Sequence, residues 1–421
     1  MVAPGAAARE AALEILRATR AGQLFDAARD RAVMGLADRD RRLAQEIAAG
    51  VLRNRRTLDG RLRDVVAGRW RTTPADLRDV LRIGLFQLTG LSRVPPHAAV
   101  GTSVELAKAR HGQRSGAFVN AVLRRTLRAP ASPARAELRT TIQVLAADSS
   151  HPDWLVARWH RHFGPEGTQR LLEHHRQRPP LWLQPLRWSA EAIAVAAQDA
   201  GFRVEQRPGF SGVMVQARHL RDVPGFSDGA FVVQGPAQSH LIEQAALPEG
   251  GRVWDACAAP GGKTAVLARR CRVIASDRTA VRLGRLRDTV RRTAAAVPLF
   301  LADARQPPLS AGAVDVVWLD APCSASGTIA QHPDARWRLT PQRLARLASL
   351  QAALLDGTQA VVSSGGMLVY TTCSLEPEEN AIQVDRFLDR HARFRRERPD
   401  VFVFPPDSGA DGGYLAVLRA A

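Results

Sequence analysis

Val253-Trp254-Asp255-Ala256-Cys257-Ala258-Ala259-Pro260-Gly261-Gly262-Lys263-Thr264 decides how the rest of the chain is read. A short apolar run ends on an acid, passes through a loop of small residues and opens a helix predicted over about 263–270. Small residues let backbone N–H groups approach a ligand, and the helix N-terminus points at the same place. This is the pattern of the first strand and turn of a nucleotide-binding α/β domain. The next apolar run, Arg272-Val273-Ile274-Ala275-Ser276-Asp277, ends in a second acid. It falls near the offset of about twenty residues at which a carboxylate holds ribose hydroxyls in such folds. A plain tight turn reads the same way, so the decision passes to the strands that follow.

Those strands repeat the arrangement. Leu299-Phe300-Leu301 leads into Asp303, and Val314-Asp315-Val316-Val317-Trp318-Leu319 leads into Asp320. A long helix is predicted over 341–363, after which Gly366-Met367-Leu368-Val369-Tyr370 runs into Thr371-Thr372-Cys373. Strand alternating with helix predicts an α/β, Rossmann-like domain over 246–421, with a mostly parallel sheet covered on both faces. Loops at the carboxyl ends of such strands converge on one crevice. Asp255, Asp277, Asp303, Asp320 and Cys373 all sit at or just past such ends, so they are expected around one pocket.

The chain has 421 residues, enough for two or three cores, and a formal net charge of +18 that predicts attraction to a polyanion, nucleic acid before others. Only Lys108 and Lys263 are lysine; the other basic residues are arginine. A compositional bias toward arginine explains that choice but not the charge excess. It also makes Lys263 informative, since a compact point charge on a thin stem suits a crowded pocket. No stretch reaches the ~18 apolar residues of a membrane span. The first twenty residues carry Arg9, Glu10, Glu14 and Arg17 where a signal peptide needs an apolar run. A cytoplasmic protein with no membrane contact is therefore expected, and separately a monomer. The four cysteines, Cys257, Cys271, Cys323 and Cys373, form no C-x-x-C pair, which argues against zinc and against a disulfide framework, so no metal is expected.

Ahead of the α/β domain, residues 1–135 read as an all-helical domain of five to seven helices. Leu43, Ile47 and Val51, then Leu81, Leu85 and Leu88, keep helical stripes, with breaks at Gly60, Thr72-Thr73-Pro74, Val94-Pro95-Pro96 and near Gly112. The last helix carries Arg124, Arg125 and Arg128, either a solvated face or an RNA contact, and Ala129-Pro130-Ala131-Ser132-Pro133 reads as a linker. Residues 140–245 form a small α+β segment. Its His151-Pro152-Asp153-Trp154-Leu155 start, Trp159 and the His174-His175 pair either face RNA or fill a core. Strands are expected at Gly212-Val213-Met214-Val215 and Ala230-Phe231-Val232-Val233.

Two cysteines in strand-end loops, in Asp320-Ala321-Pro322-Cys323-Ser324 and in Thr371-Thr372-Cys373-Ser374, suggest nucleophilic chemistry beside a nucleotide-like cofactor. A helix opening at Pro377 is expected to favour thiolate at Cys373. Cys257 and Cys271 read as inert, buried small residues.

Together, Asp255-Ala256-Cys257-Ala258-Ala259-Pro260-Gly261-Gly262-Lys263-Thr264, Asp320-Ala321-Pro322-Cys323-Ser324 and Thr371-Thr372-Cys373-Ser374 with Pro377-Glu378-Glu379-Asn380 resemble the motifs of the Sun (Fmu) family of RNA cytosine-C5 methyltransferases. The helical front resembles the NusB-like RNA-binding domain of the bacterial 16S rRNA branch, at Asp38-Arg39, Leu81-Arg82-Ile83-Gly84 and Phe118-Val119-Asn120-Ala121-Val122-Leu123-Arg124. The resemblance covers nearly the whole chain and implies S-adenosylmethionine as cofactor and RNA, specifically small-subunit ribosomal RNA, as partner. It implies that Cys257, Ala258, Ala259, Pro260, Gly261, Gly262, Lys263, Asp277, Asp303 and Asp320 surround the cofactor. Cys373 is then the nucleophile and Cys323 assists release, while Asp320, partnered by Lys263, hydrogen-bonds the cytosine ring. The chemistry agrees, because C5 is a poor nucleophile until a thiolate adds at C6.

Three positions depart from the family pattern: Gly235 in place of an acid, Gln184-Pro185-Leu186 in place of an Arg-Val-Asn run, and Gly413 in place of an aromatic. These touch substrate contacts rather than chemistry. A non-catalytic RNA-binding or ribosome-assembly factor has no need of two strand-end thiols. A DNA cytosine methyltransferase is disfavoured by the two-cysteine pattern and the helical front. An amino-group methyltransferase lacks its usual turn, since Asp320-Ala321-Pro322-Cys323 stands there.

Overall fold

The computed structural model describes residues 5–66, 68–128, 140–177, 179–207, 209–217 and 220–421; the linker expected at 129–133 lies outside them. They divide into two compact units, one up to Gln177 together with His332–Arg338, the other Arg178–Gln331 with Leu339–Ala421.

The first unit is helical: α1 (Ala6–Arg20), α2 (Phe25–Ala32), α3 (Asp38–Val66), α4 (Ala75–Gly90), α5 (Pro96–His111), α6 (Gln113–Arg128), α7 (Thr141–Asp148) and α8 (Asp153–His174). Its core gathers Leu13, Ile47, Val51, Leu62, Leu81 and Leu123, all almost fully buried, so the stripes read from the sequence do face inward. The break expected at Gly60 is absent. Gly60 is buried inside α3 between Leu58 and Leu62, and a mid-helix glycine costs only about 1 kcal/mol, less than the packing of its neighbours returns. Gly164, at φ 67°, kinks α8 ahead of Pro165. Arg82 lies at the bottom of this core, its guanidinium bidentate to Asp59 at 2.6 and 2.9 Å and bonded to Asp79 at 2.6 Å. Burial pulls its pKa down, but the bonds and charges of Asp59 and Asp79 leave it raised. His151, His175 and Trp159 are fully buried, so they belong to the core and not to an RNA-facing surface. Arg336 of the second segment is buried with them, donating to the carbonyls of Ser149, Ser150 and His175.

The second unit begins with a four-stranded antiparallel sheet of β1 (Leu181–Pro185), β2 (Arg203–Gln206), β3 (Val213–Gln216) and β4 (Phe231–Val233), in the order β2-β3-β1-β4, with α9 (Ala190–Asp199) packed on it. After α10 (Pro236–Ala245) come β5 (Arg252–Asp255), α11 (Gly262–Leu267), β6 (Arg272–Asp277), α12 (Ala280–Arg292), β7 (Leu299–Leu301) and β8 (Val314–Asp320). The chain contributes α13 (Ala335–Arg338) to the first unit, then returns with α14 (Pro341–Thr358), β9 (Val362–Thr372), α15 (Ala381–Arg390), β10 (Phe394–Arg396), β11 (Val401–Val403) and β12 (Gly413–Ala420). The strands order as β10-β12-β9-β8-β5-β6-β7, parallel from β9 to β7 and antiparallel at β12, with β11 also on β12. The α/β Rossmann-like reading is the observed fold. The helix expected to reach 363 ends at Thr358 instead, because Val362 already pairs with Val314 across a register shift in β8.

Candidate active site

β5 is the pivot. From it the chain moves outward through β6 and β7, then crosses to β8 and β9 on the other side, so the strand order reverses between β5 and β8. Ligand crevices of open α/β sheets form at such a point, beyond the carboxyl ends of the strands. Val253 and Trp254 of β5 are fully buried, as a central parallel strand requires, and the strand ends on Asp255. The other expected acids follow suit: Asp277 ends β6, Asp320 ends β8, Asp303 comes two residues after β7 and Cys373 directly after β9.

One cleft is lined by Ala256, Cys257, Asp277, Thr279, Asp303 and Pro322, with Arg278, Arg282 and Arg305 at its polar wall and Leu350 and Leu354 of α14 at its apolar one. A carboxylate at each of two strand ends and an apolar wall fit a nucleoside: hydroxyls on one side, a flat ring on the other. Sequence reasoning missed the arginines. Arg282 donates from Nε to both Asp277 oxygens at 2.9 and 3.0 Å, and Arg305 grips Asp303. The Arg305 bonds bring the Asp303 carboxyl down to about 2. Their signal was local, since Arg282 and Arg305 stand five and two residues after the acids they hold.

Asp277 also accepts the Ala259 amide at 3.3 Å, which ties the small-residue loop to β6. Within that loop Gly261 has φ +102°, and a Cβ there would meet Leu286 at 2.8 Å, so this glycine serves the turn and the approach of α11 to α12. Gly262 has open space around its Cα, with only the Val233 carbonyl at 3.8 Å. Ala258 is buried against Ala275 and Leu286 of β6 and α12, and Pro260 is exposed. Lys263 and Asp320 form an ion pair at 2.6 Å, and Thr371 donates to the other Asp320 oxygen at 3.1 Å.

Asp255 is buried with Thr264 donating to one oxygen at 2.7 Å; among the described residues its other oxygen has no partner. Desolvation, opposed by the Thr264 bond and reinforced by Asp320, raises its pKa to about 7. Burial also pushes the Cys257 thiol up, with Asp277 and Asp255 adding to it. Cys257 and Cys271 are half-buried rather than fully enclosed, and burial pushes both thiols up, which disfavours thiolate.

Cys323 and Cys373 lie with their sulfurs 3.2 Å apart, the loops after β8 and β9 meeting as the parallel pairing of those strands dictates. The Cys373 hydrogen bond, burial and the Cys373 and Glu379 charges push the Cys323 thiol up. The helix expected to open at Pro377 and favour thiolate at Cys373 is only a three-residue 3-10 turn, and α15 starts at Ala381. Its dipole is too short to supply that field.

The departures from the family pattern are structurally coherent. Gln184 accepts the Ser239 hydroxyl at 2.9 Å, and a Cβ at Gly235 would stand 2.8 Å from the Asp411 carboxylate. A Cβ at Gly413 would meet Leu241 at 2.8 Å.

Residues 244–416 match the family described as 16S rRNA methyltransferase RsmB/F, residues 6–128 the NusB family, and residues 151–218 the ferredoxin-like domain of RsmF/B-like methyltransferases. The probable ribosomal RNA small subunit methyltransferase B of Synechocystis sp. is 36% identical over 93% of this chain and 91% of its own length. The chain belongs to the RsmB/F family of 16S rRNA methyltransferases. The family member of Shigella sonnei, ribosomal RNA small subunit methyltransferase B, is 32% identical over 91% of both chains. The crystal structure of PH0851 superposes with a TM-score of 0.84 over 99% of both chains at 22% identity, a likeness of fold. As a family member the chain is an S-adenosylmethionine-dependent rRNA methyltransferase with a NusB-type helical front. Among the described residues no helix is long and apolar enough to cross a membrane.

Proposed function

We propose that this enzyme methylates C5 of a cytosine in 16S rRNA through a covalent adduct between Cys373 and C6 of the base, acting in the cytoplasm as a monomer. The carrying observation is the thiol pair: two sulfurs 3.2 Å apart at the ends of adjacent parallel strands, in the loops that follow Asp320 and Thr372. Residues 1–135 and 140–245 serve as RNA-binding parts, and 246–421 does the chemistry. Asp277 holds the cofactor's ribose hydroxyls, the 257–262 loop meets its methionine end, and Lys263, Asp303 and Asp320 complete its surroundings. When bound, S-adenosylmethionine supplies an electrophilic methyl group.

The steps of this chain's residues follow from charge. The Cys373 thiolate adds to C6, and the C5=C6 π pair becomes available at C5. Asp320, neutralised by Lys263 and oriented by Thr371, hydrogen-bonds the ring near N3 and stabilises the charge that develops there. C5 bonds to the methyl group, a base takes the C5 proton, the C6–S bond breaks and the double bond re-forms with thiolate leaving. Cys323, its sulfur 3.2 Å from that of Cys373, serves this release. The target base must be unstacked to reach the thiols.

Bisulfite sequencing of 16S rRNA with and without the protein locates the modified cytosine. On a denaturing gel, Cys373→Ala is expected to give no methylation and no protein–RNA adduct. Cys323→Ala is expected to accumulate a slowly migrating band that the double variant lacks. A band that survives in Cys373→Ala and vanishes in Cys323→Ala reverses the two roles.

A further inference from the structure

Glu379 is fully buried and has no part in the reaction just described. One of its carboxylate oxygens accepts the Ser324 amide at 2.9 Å and the Gln351 side-chain amide at 3.0 Å. The other accepts the Ser374 hydroxyl. Gln351, reaching in from α14, donates from the same nitrogen to the Pro322 carbonyl at 2.9 Å. The residues on both sides of Cys323 and the residue after Cys373 therefore hang from a single carboxylate and its amide partner.

Further bonds tighten the same knot. The Ser324 and Ser374 hydroxyls are 3.0 Å apart, and Ser326 accepts the Leu375 amide at 2.8 Å. The Tyr370 hydroxyl donates to the Glu379 carbonyl at 2.7 Å, which pins the hub itself to β9. All three partners of the carboxylate, the Ser324 amide and the Gln351 and Ser374 side chains, are neutral donors, so burial raises its pKa against their pull. A buried carboxylate held by neutral donors is costly where only volume needs filling. What this one does that an apolar residue cannot is accept from two loops at once.

We infer that Glu379 is a positioning residue for the methyl transfer, holding the Cys323 and Cys373 loops at the one sulfur-to-sulfur geometry in which the first thiol serves release while the second attacks. The roles of the thiols rest on the C5 reading above; the geometry does not. The bonds of Glu379 go to the Ser324 amide, the Gln351 side chain and the Ser374 hydroxyl, so it acts through the two loops. Among the described residues the titratable groups around the pair include the thiols themselves, Glu379 and Tyr370, with Glu376 buried in the Cys373 loop.

Glu379→Gln and Glu379→Ala in the full chain test this, with the pH dependence of iodoacetamide alkylation followed at each cysteine by mass spectrometry in the absence of RNA. S-adenosylmethionine affinity by calorimetry and the kcat and KM of methylation complete the set. In Glu379→Ala, kcat is expected to fall about 100-fold, the size of effect a 1 Å misplacement brings, with cofactor affinity held. The Cys323 alkylation profile should move to lower pH as the carboxylate is lost. Glu379→Gln keeps the span but must turn one bond around, so it should recover about a tenth or more of the wild-type kcat while still shifting the Cys323 profile. If the alanine variant does not fold, the glutamine variant alone decides. Wild-type kcat with unmoved alkylation profiles overturns the inference, and so does loss of cofactor binding in step with kcat, which marks general collapse. A wild-type enzyme that leaves cytosine C5 unmodified while the Cys323 profile shifts in the variants would sink the C5 reading and leave the positioning geometry standing.

Discussion

The two units bury charge in opposite ways. In the helical unit Arg82 fills its fork with Asp59 and Asp79, and Arg20 takes the other Asp79 oxygen, so the set is closed. In the sheet unit Asp255 keeps one oxygen without a partner among the described residues, Asp277 and Asp303 are gripped by half-exposed arginines, and Glu379 spends its oxygens on two loops. A closed set stabilises one fold and offers nothing to a ligand. The open or exchangeable bonds of the sheet unit mark where a ligand or a reacting loop takes over. Buried polarity thus separates architecture from site by what its hydrogen bonds leave available.

Arg82→Leu should break the closed set most severely. It strands Asp59 in a core with no counter-ion of the same geometry, and removing one partner of a buried pair costs about 3–5 kcal/mol. The expected result is loss of hydrogen-exchange protection in α3 and α4 and a lower urea midpoint for the helical unit, with S-adenosylmethionine affinity unchanged. A loss below about 1 kcal/mol would place Arg82 among ordinary surface pairs and erase the contrast.

Asp255→Asn probes the open side through pH. The folded pKa of Asp255 lies near 7, above the unfolded value of 3.8, so the folded state holds the proton longer. Stability is therefore full below about pH 4, falls as pH rises toward 7 and is level beyond. The asparagine variant removes that decline, on the order of 2–4 kcal/mol from a shift of this size. Thermal melts at pH 4.5 and pH 8 check it: the two proteins should differ more at pH 8. Equal differences at both pH values would mean that Asp255 ionises at its ordinary pKa.

How much of this contrast was legible in the sequence depends on range. β5, β6 and β8 were readable because doubly covered parallel strands are apolar runs that end abruptly on an acid. The thiol pair was readable as two cysteines at strand ends, though not their 3.2 Å contact, which needs the adjacency of β8 and β9. Glu379 and Gln351 were not singled out for any role, since the bonds that give them meaning reach 55 and 28 residues along the chain. Gly60 misled because a local propensity was outweighed by tertiary packing. His175 stayed open between an RNA-facing surface and a core because a polar residue beside His174 fits either until the burial of Trp159 and Arg336 around it is known.

Asp277→Ala comes next in size. If Asp277 receives the cofactor's ribose hydroxyls, affinity should fall tenfold or more, since hydrogen bonds to a charged group contribute about 1.5–3 kcal/mol each. Calorimetry with S-adenosylmethionine reads this directly, and unchanged affinity would move the ribose elsewhere.

The smallest effect isolates the exchangeable bond itself. Arg282 holds Asp277 through Nε and reaches the Ala259 carbonyl at 3.1 Å, but its side chain is 44% exposed, so water screens the pair. Such a pair contributes about 0–1 kcal/mol. A ligand hydroxyl that comes to the Asp277 oxygens must share or displace that guanidinium, and the release subtracts from binding. Arg282→Gln removes the competitor while leaving a neutral side chain on α12. S-adenosylmethionine should then bind tighter, by up to about fivefold for 1 kcal/mol, with the change in the association constant and none in the stability of the helical unit. Weaker binding would show instead that Arg282 stays and orders Asp277 for the ligand. The carboxylate at the end of β6 would then be as closed a set as the one around Arg82, and the distinction between the two units would rest on Asp255 and the thiol loops alone.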